Sequence, residues 1–311
     1  MRLRNPAALL GAASVLGLGL GLSSQPADAC ACGCGIFEVG TSSLFANGEG
    51  GTIFFTYDFL NQHENWSGTS RAPAADNDDK KLRTNFYTVG GQYMFNRDWG
   101  VMAEVPVTQR HFETMDGGTL GIFDHTAIGD IRLMGVYSGF SDDMSTGVIF
   151  GVKLPTGDST YAGFDPDTEI GAGGTDLLLG GYHMGALDAN ENWVWYGQVQ
   201  WDQPVASKHS YRAGGEVDAA LGAYYNNWNI GGNSKLAPSF QILYSHRASD
   251  SGPLAEPDNT GYDRALAAPG IELDTGSWKF YADAEVPFYQ DMRGNQLVAP
   301  VAYKFIVSYA L

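Results

Sequence analysis

The sequence predicts an all-β fold, namely a transmembrane antiparallel β-barrel of about 12 strands with both chain ends in the periplasm. Three observations predict it: apolar and polar residues alternate, glycine- and aspartate-rich segments separate the alternating runs, and connections alternate in length. Alternation is clearest in residues 301–311, where every second residue is apolar or aromatic and Lys304 and Ser308 occupy the other face. A period of two indicates a strand with one apolar face. An edge strand of a soluble sandwich would share this period, so the remaining chain must separate the two.

The N-terminus has the pattern of a secretory signal peptide. Arg2 and Arg4 precede an apolar stretch at residues 7–22, and residues 27–29 supply an Ala-Asp-Ala cleavage pattern. A membrane anchor is the alternative, but the stretch is short and rich in glycine, and no second apolar run of about 18 residues follows. We therefore predict a signal peptide at residues 1–29 and localisation of the barrel in the bacterial outer membrane.

The composition fits a barrel and argues against one class of partner. The chain has 41 glycines and 13% aromatic residues, yet only 44% hydrophobic residues and a mean hydropathy of −0.18. An alternating barrel has this combination because half of every strand is polar. The 35 acidic residues against 18 basic ones argue against nucleic acid, whose phosphates require lysine and arginine.

Alternating runs bounded by turn-forming residues define the strands. From residue 51 onward, clusters of glycine, aspartate and asparagine divide the chain into short segments, and none keeps a helical period over three turns. An even number of strands is typical of single-chain bacterial barrels. The strands are predicted near residues 51–60, 83–96, 99–110, 126–139, 144–155, 174–187, 192–204, 210–226, 234–247, 261–275, 277–288 and 297–311.

The connections between these runs alternate in length. The first, third and fifth connections, at residues 61–82, 112–125 and 156–173, are long, and those between them are short. Later connections follow the same order more loosely, and one of them is predicted at residues 289–295. A barrel with periplasmic termini predicts this alternation, because its extracellular loops are long and its periplasmic turns are short. A soluble sandwich has no reason to show it.

Charged residues lie on the face opposite the apolar one. In the predicted strand 192–204, Trp193 and Trp201 share a face near opposite ends, as interfacial aromatic girdles require, and Asp202 lies on the other face. The residues predicted in this way to line the lumen are Glu104, Asp130, Arg132, Lys153, Asp202, Arg264, Glu272, Lys279, Asp283, Glu285 and Lys304. Two interpretations remain open: a cross-strand network that fills a narrow lumen, or a polar permeation path.

Several glycine-rich segments carry a resemblance to a known family. Residues 129–137 read Gly-Asp-Ile-Arg-Leu-Met-Gly-Val-Tyr, residues 147–158 end in Leu-Pro-Thr-Gly-Asp, and residues 174–182 begin Gly-Thr-Asp-Leu. From about residue 99 onward, the chain resembles outer-membrane proteins of the meta-pathway phenol-degradation type, which are described as transporters. It is also distantly similar to long-chain fatty-acid and aromatic-hydrocarbon channels. The resemblance implies a barrel that passes small, often apolar molecules, and it implies no catalytic residue.

The N-terminal cysteines depart from the family pattern, as does the final Leu311, where such barrels usually end in phenylalanine. Cys30, Cys32 and Cys34 are all the cysteines of the chain, and three thiolates at alternate positions would suit Cu(I) or Zn(II). A disulfide in an oxidising compartment and lipidation of Cys30 are the alternatives. No second cysteine or histidine pair lies nearby in the sequence.

Two acidic connections suggest another metal hypothesis. One contains three aspartates and the other contains two, and carboxylate oxygens are the ligands that Ca²⁺ prefers. Acidic loops are nevertheless more often simply solvated. These residues are Asp76, Asp78, Asp79, Asp165 and Asp167.

Together these observations predict three regions and a function. Residues 1–29 are the signal peptide, residues 30–50 a cysteine-bearing periplasmic segment, and residues 51–311 the barrel. The barrel is predicted to be a channel or transporter for a small molecule, apolar or metal-linked, surrounded by outer-membrane lipid. The alternative is a non-transporting barrel that anchors a periplasmic redox or metal-handling partner through the cysteines.

An enzyme is not expected from the sequence. No Gly-x-Ser-x-Gly motif is present. Two histidines are adjacent to serines, at residues 209–210 and 245–246, but neighbours on a strand point to opposite faces and cannot act as a pair.

Overall fold

The computed structural model describes residues 48–207 and 210–311, which form sixteen strands and a short 3-10 helix, Ala74–Asp76. The predicted signal peptide and the cysteines Cys30, Cys32 and Cys34 lie outside these residues. Within the described chain, no helix has the length and apolarity that crossing a membrane requires. The strands are β1 Gly50–Gln62, β2 Glu64–Gly68, β3 Ser70–Arg71, β4 Asp79–Met94, β5 Trp99–Asp116, β6 Thr119–Ile128, β7 Ile131–Tyr137, β8 Thr146–Leu154, β9 Gly174–Ala186, β10 Trp193–Ser207, β11 Glu216–Tyr225, β12 Trp228–Gly231, β13 Ser234–Arg247, β14 Tyr262–Asp274, β15 Trp278–Val298 and β16 Ala302–Ala310.

Twelve of these strands close into an antiparallel barrel. Around the wall the order is β1, β4, β5, β7, β8, β9, β10, β11, β13, β14, β15 and β16. The last strand pairs with the first, from Thr52 opposite Ala310 to Leu60 opposite Ala302, so the seam has no open sheet edge. The predicted all-β barrel of about 12 strands is confirmed.

The two ends of the barrel differ in their connections. One end, termed the short-turn end, carries the C-terminus and tight connections such as residues 95–98 and 275–277. The other, termed the long-loop end, carries the connections at residues 63–78, 155–173 and 248–261. These lengths follow the predicted alternation, but two connections at the long-loop end, residues 117–118 and 299–301, are short. The periplasmic location of the short-turn end stays a prediction.

The outer surface of the barrel is apolar and carries aromatic residues at its rim. Along β10, Trp193 and Trp201 are nearly half exposed, whereas Tyr196 between them is buried inside the barrel. Outward apolar side chains face lipid in a membrane, and aromatic ones lie at its interfaces. Aromatic pairs ring the short-turn end, with ring centroids 4.7 Å apart for Trp99 and Tyr137, 5.2 Å for Trp193 and Tyr225, and 4.8 Å for Trp278 and Tyr309.

Three of the predicted boundaries are wrong. The connection predicted at residues 112–125 is largely a hairpin of β5 and β6, and the one predicted at residues 289–295 lies within β15. Both segments extend past the apolar band of the wall, where backbone pairing continues without the apolar alternation that marks a lipid-facing strand. Residues 210–215, predicted as strand, precede β11, and Ser210 has a φ of 61° that a strand does not allow.

Candidate functional site

The long-loop half of the interior holds two cavities that share a wall. The outer one, termed the vestibule, has a volume of about 470 Å³ and is lined by loops and strand ends. The inner one, termed the chamber, has a volume of about 180 Å³ and lies among inward-facing residues of β4 to β13. Pro166, Asp167 and Tyr211 line both cavities, and we call these three residues the partition.

Acidic side chains dominate the vestibule. No lysine, arginine or histidine of the described chain lines it. The structure thus brings together the two acidic connections, although no group of three His, Cys, Asp or Glu in residues 48–207 and 210–311 is arranged to hold a metal ion. The Ca²⁺ hypothesis is therefore not supported. The acidic lining residues are Asp78, Asp79, Asp116, Asp165, Asp167, Asp250 and Glu256.

The chamber is lined by charges of both signs, several of which form ion pairs. Lys153 Nζ lies 2.5 Å from Asp176 Oδ2 and 2.6 Å from Asp202 Oδ2. Arg132 Nη1 lies 3.4 Å from Glu104 Oε2. Pairing offsets the large cost of removing these charges from water. Four of the predicted lumen residues line the chamber: Asp130, Arg132, Lys153 and Asp202.

A second charged network joins β1, β15 and β16. Lys304 Nζ lies 3.6 Å from Glu285 Oε1 and 4.0 Å from Asp58 Oδ1, and all three side chains are almost completely buried. Asp283, next to them, accepts a hydrogen bond of 3.1 Å from Gln241 Nε2. None of these residues lines the vestibule or the chamber. This part of the interior is filled by side chains.

The remaining predicted lumen residues lie apart from both cavities. Lys279 Nζ is 3.6 Å from Glu272 Oε1 near the short-turn end and is partly exposed. The Arg264 guanidinium lies over the Tyr262 ring, 4.8 Å from its centroid. The predicted lumen residues therefore lie in three places: in the chamber, in the buried network around Lys304, and at the separate positions of Lys279, Glu272 and Arg264. Whether they line a conduction path stays a prediction.

An apolar cluster occupies the interior toward the short-turn end. Met94 at the end of β4 and Met144 in the connection between β7 and β8 contribute to it, which places it at this end of the barrel. The inward-facing side chains are thus charged around the chamber and apolar toward the short-turn end. The buried members are Met94, Met134, Val136, Met144, Ile149, Leu178, Tyr182 and Tyr196.

Asp130 fastens the loop of residues 155–173, which supplies two partition residues. Its Oδ1 accepts a hydrogen bond from Gly157 N at 2.9 Å, and its Oδ2 accepts one from Ala172 N at 2.8 Å. These amides lie on the outgoing and returning limbs of the loop. The limbs pass so closely that a Cβ on Gly157 would lie 2.6 Å from the Cα of Gly171. One carboxylate therefore joins both limbs to the barrel wall.

Two of the segments that carry the family resemblance meet at this anchor. Thr156 Oγ1 donates a hydrogen bond of 2.8 Å to Gly129 O and accepts one of 2.9 Å from Ile131 N. Asp158 Oδ2 lies 3.1 Å from His125 Nε2. The Gly-Asp-Ile-Arg and Leu-Pro-Thr-Gly-Asp segments are thus two halves of one hydrogen-bonded junction at the break between β6 and β7.

Three further hydrogen bonds hold the partition in place. Arg110 donates a hydrogen bond of 2.7 Å to Glu169 O, on the returning limb of the loop. Tyr211 Oη donates one of 2.7 Å to Asp250 Oδ2, and Arg247 Nη2 donates one of 2.7 Å to Asp250 Oδ1. The partition therefore depends on these side-chain contacts and on the backbone bridge between Arg212 and Ser251, and no strand pairing of the barrel wall passes through it.

The wall beside this loop is not closed by strands. β8 has only nine residues, and β6 pairs only with β5 within the described chain. The loop fills the space between β6 and β9. The Tyr161 ring stacks on His125 with centroids 3.8 Å apart, and Phe164 lies 6.5 Å from Phe123. Aromatic side chains thus close this part of the wall.

We expect the loop of residues 155–173 to close more firmly as the pH falls. Burial raises the pKa of the Glu169 carboxyl to about 7, and the charge of Asp158 adds to the shift. The closed loop then binds more protons than an open one, so its stability is full below about pH 4.5 and is lost as the pH rises to about 7. Hydrogen exchange of the loop amides, corrected for intrinsic rates, should be slower at pH 5 than at pH 8. Glu169→Gln should remove this difference, and a difference that persists would contradict the assignment.

The residues predicted to line the lumen do not include several charged residues that also face the interior and follow the same alternation. Asp176 shares the inward face of β9 with Leu178, and Asp218 shares that of β11 with Ala220. These carboxylates lie near strand ends, where sequence alone does not separate a lumen position from a loop. The omitted residues include Asp58, Arg110, Asp176, Glu216, Asp218 and Arg247.

Comparisons with known proteins identify the architecture. No family model matches the chain, and no curated protein sequence matches it. Among solved structures, the COG4313 outer membrane channel from Pseudomonas putida F1 aligns with a TM-score of 0.67 at 12% identity, over 88% of this chain and 100% of that one. The β domain of the Bordetella autotransporter BrkA aligns with a TM-score of 0.53 at 11% identity, over 85% and 100%.

The likeness at these identities shows a shared fold. The toluene transporter TbuX from Ralstonia pickettii aligns with a TM-score of 0.42 at 10% identity, over 85% of this chain and 90% of that one. This structure is too different to support any conclusion about the fold. A closed barrel satisfies every backbone group of its wall internally, and an apolar outer band suits lipid. The chain is therefore a β-barrel of the bacterial outer membrane.

Proposed function

We propose that this protein is an outer-membrane channel that admits a small polar solute from the long-loop end through the vestibule and the chamber. The observation that carries the proposal is that the two cavities share a wall formed by the loop residues Pro166, Asp167 and Tyr211. Such a partition opens without breaking the hydrogen bonds of the barrel wall. The path continues toward the short-turn end past the apolar cluster, whose methionines are flexible enough to repack. The shared fold with a named outer-membrane channel supports the proposal.

A second candidate function is lateral passage of a small apolar molecule through the wall between β6 and β9. Two observations favour it: β6 pairs only with β5 within the described chain, and the aromatic residues Phe123, Tyr161 and Phe164 line the gap. The resemblance to the phenol-degradation type, and through it to hydrocarbon channels, also favours apolar cargo. The charged chamber argues against passage of an apolar molecule along the barrel axis, because such a molecule gains nothing from displacing water from charged groups.

The scaffold alternative and the absence of enzymatic activity stay predictions. The cysteines that would bind a periplasmic partner or a Cu or Zn ion lie outside the described residues. Ser245 faces the interior and donates a hydrogen bond of 2.7 Å to Glu216, whereas His246 faces outward and contacts Asp263. This pair is therefore engaged in separate contacts on opposite faces of β13.

The channel proposal is tested by narrowing the chamber. Gln200 is buried and lines the chamber, and its neighbour Val199 is about half exposed on the lipid face of the same strand. We expect Gln200→Trp to lower the single-channel conductance in planar bilayers several-fold, because the indole occupies much of the chamber. Val199→Trp adds the same side chain toward lipid and should conduct like the unmodified protein. Slow migration of the unheated protein in electrophoresis verifies that each barrel is folded.

The outcomes separate the candidate functions. Equal conductance of the two tryptophan variants would exclude the chamber as the path. Absence of current from all folded proteins would overturn the axial channel. Faster uptake of toluene by cells that produce such a silent barrel would then favour the lateral route.

A further inference from the structure

Two buried carboxylate side chains of the chamber each have an oxygen atom without a hydrogen-bond donor. Asp218 is 7% exposed, and its Oδ1 atom accepts no hydrogen bond. Glu169 is 8% exposed, and its Oε2 atom likewise accepts none. Both residues line the chamber. A buried carboxylate oxygen without a donor is costly, so these two atoms mark places where a donor on a solute would bind favourably.

The basic groups of the chamber are already engaged by protein partners. Lys153 contacts two carboxylates, and Arg247 donates to Asp250. Arg110 donates to backbone carbonyls of the loop. The acidic residues exceed the basic ones in the lining, which contains Asp130, Asp167, Glu169, Asp176, Asp202, Glu216 and Asp218 against Arg110, Arg132, Lys153 and Arg247. The chamber thus carries more acidic than basic side chains, although Arg110 Nε also lacks a hydrogen-bond partner there.

The vestibule that leads to the chamber has the same sign of charge. Its seven acidic side chains face a cavity without a basic lining residue in the described chain. A recess lined by one sign of charge raises the local concentration of the opposite ion. A cation that enters the vestibule next meets the partition residue Asp167, and then the acceptors of the chamber.

The geometry favours an organic cation over a metal ion. No three His, Cys, Asp or Glu side chains of the described residues are placed to hold a metal. A primary ammonium group carries three donors and needs no ordered shell of ligands. A cavity of about 180 Å³ accommodates a cation of a few non-hydrogen atoms.

We infer that the chamber is a selectivity site for small organic cations, in which Asp218 and Glu169 accept hydrogen bonds from an ammonium group that has entered through the acidic vestibule. This inference rests on the proposed channel function and names its class of substrate. Lys153 pairs with Asp176 and Asp202, and Asp130 is bound by loop amides, so the cation is held by few groups and is released again.

Reversal potentials and block by ethylammonium test the inference. In planar bilayers with a KCl gradient at pH 8, where Glu169 is mostly ionised, we expect the unmodified protein to favour cations over anions at least several-fold. Ethylammonium should block the K⁺ current, and Asp218→Asn should raise the half-blocking concentration at least about tenfold, because a charge-assisted hydrogen bond is lost. Asp283→Asn is the matched control, since Asp283 is buried to a similar degree but does not line the chamber.

The possible results of these measurements test the selectivity site, the type of cation and the channel separately. Current without cation preference, or block that Asp218→Asn and Asp283→Asn change equally, would overturn the selectivity site and leave the channel intact. Equal block by Mg²⁺ and ethylammonium would overturn the assignment to organic cations. Absence of current in every folded protein would overturn the channel, and this inference with it.

Discussion

Replacing Lys304 by methionine is expected to destabilise the barrel by about 3–5 kcal/mol, the usual cost of removing one partner from a buried ion pair. The ammonium lies between the carboxylates of Asp58 and Glu285, and each of the three side chains is at most 5% exposed. Methionine fills a similar volume and leaves the two carboxylates without a compensating charge. The measurement is urea-induced unfolding in phospholipid vesicles, followed by tryptophan fluorescence.

Lys279→Met is the matched control for this prediction. Lys279 makes ion pairs of similar length, 3.6 and 3.8 Å, but its side chain is 26% exposed. Its loss should cost less than about 1 kcal/mol, because water and salt already screen the pair. The double variant Lys304→Met with Glu285→Gln should recover part of the lost stability. If Lys304→Met unfolds at the same urea concentration as Lys279→Met, water reaches the network, and the interior is open where we describe it as filled.

Replacing Asp130 by alanine is expected to release the loop of residues 155–173 while the barrel stays folded. Both amides that the carboxylate binds, Gly157 N and Ala172 N, lose their acceptor. Hydrogen bonds to charged groups contribute roughly 1.5–3 kcal/mol each, so the loss of two should raise the opening equilibrium of the loop by about two to four orders of magnitude. Hydrogen exchange of the loop amides and the open probability of single channels measure this change.

Two variants bracket the effect. Asp130→Asn keeps one carbonyl oxygen as an acceptor, so the opening equilibrium should lie between those of the alanine variant and the unmodified protein. Asp142→Ala removes an exposed aspartate from a connection at the short-turn end and should leave the loop unchanged. Exchange in the loop that is equally slow in Asp130→Ala and Asp142→Ala would show that other contacts, such as those of Arg110, hold the loop closed.

The alternation of residue types predicts the parts of the protein that depend on the two environments of a barrel wall. Each strand has lipid on one side and the interior on the other. Neighbouring residues such as Trp201 and Asp202 therefore face opposite sides, and this alternation can be recognised from a short stretch of sequence. The predicted strand boundaries are wrong where a strand extends beyond the lipid and its two faces no longer meet different environments. The hairpin of β5 and β6 extends beyond the lipid, so Phe123 and His125 lie in a strand that the pattern does not reveal.

The candidate site is predicted only in part, since its residues are placed by contacts between distant segments. Alternation indicates that Asp130 and Lys153 face inward. It does not indicate that one binds the amides of a loop while the other pairs with two carboxylates. The partition joins residues that are up to 45 positions apart, from Pro166 to Tyr211, and a local pattern carries no information about such closure.

The sequence by itself therefore determines the class of the protein, because its period-two strands and alternating loop lengths predict a twelve-stranded outer-membrane barrel with charges inside. The tertiary structure alone decides which of those charges meet. It buries Lys304 in a filled network, and it assembles the vestibule, partition and chamber from separate loops and strands. The physical reason is that lipid imposes its requirement on every strand separately, whereas a cavity depends on how strands and loops from the whole circumference come together.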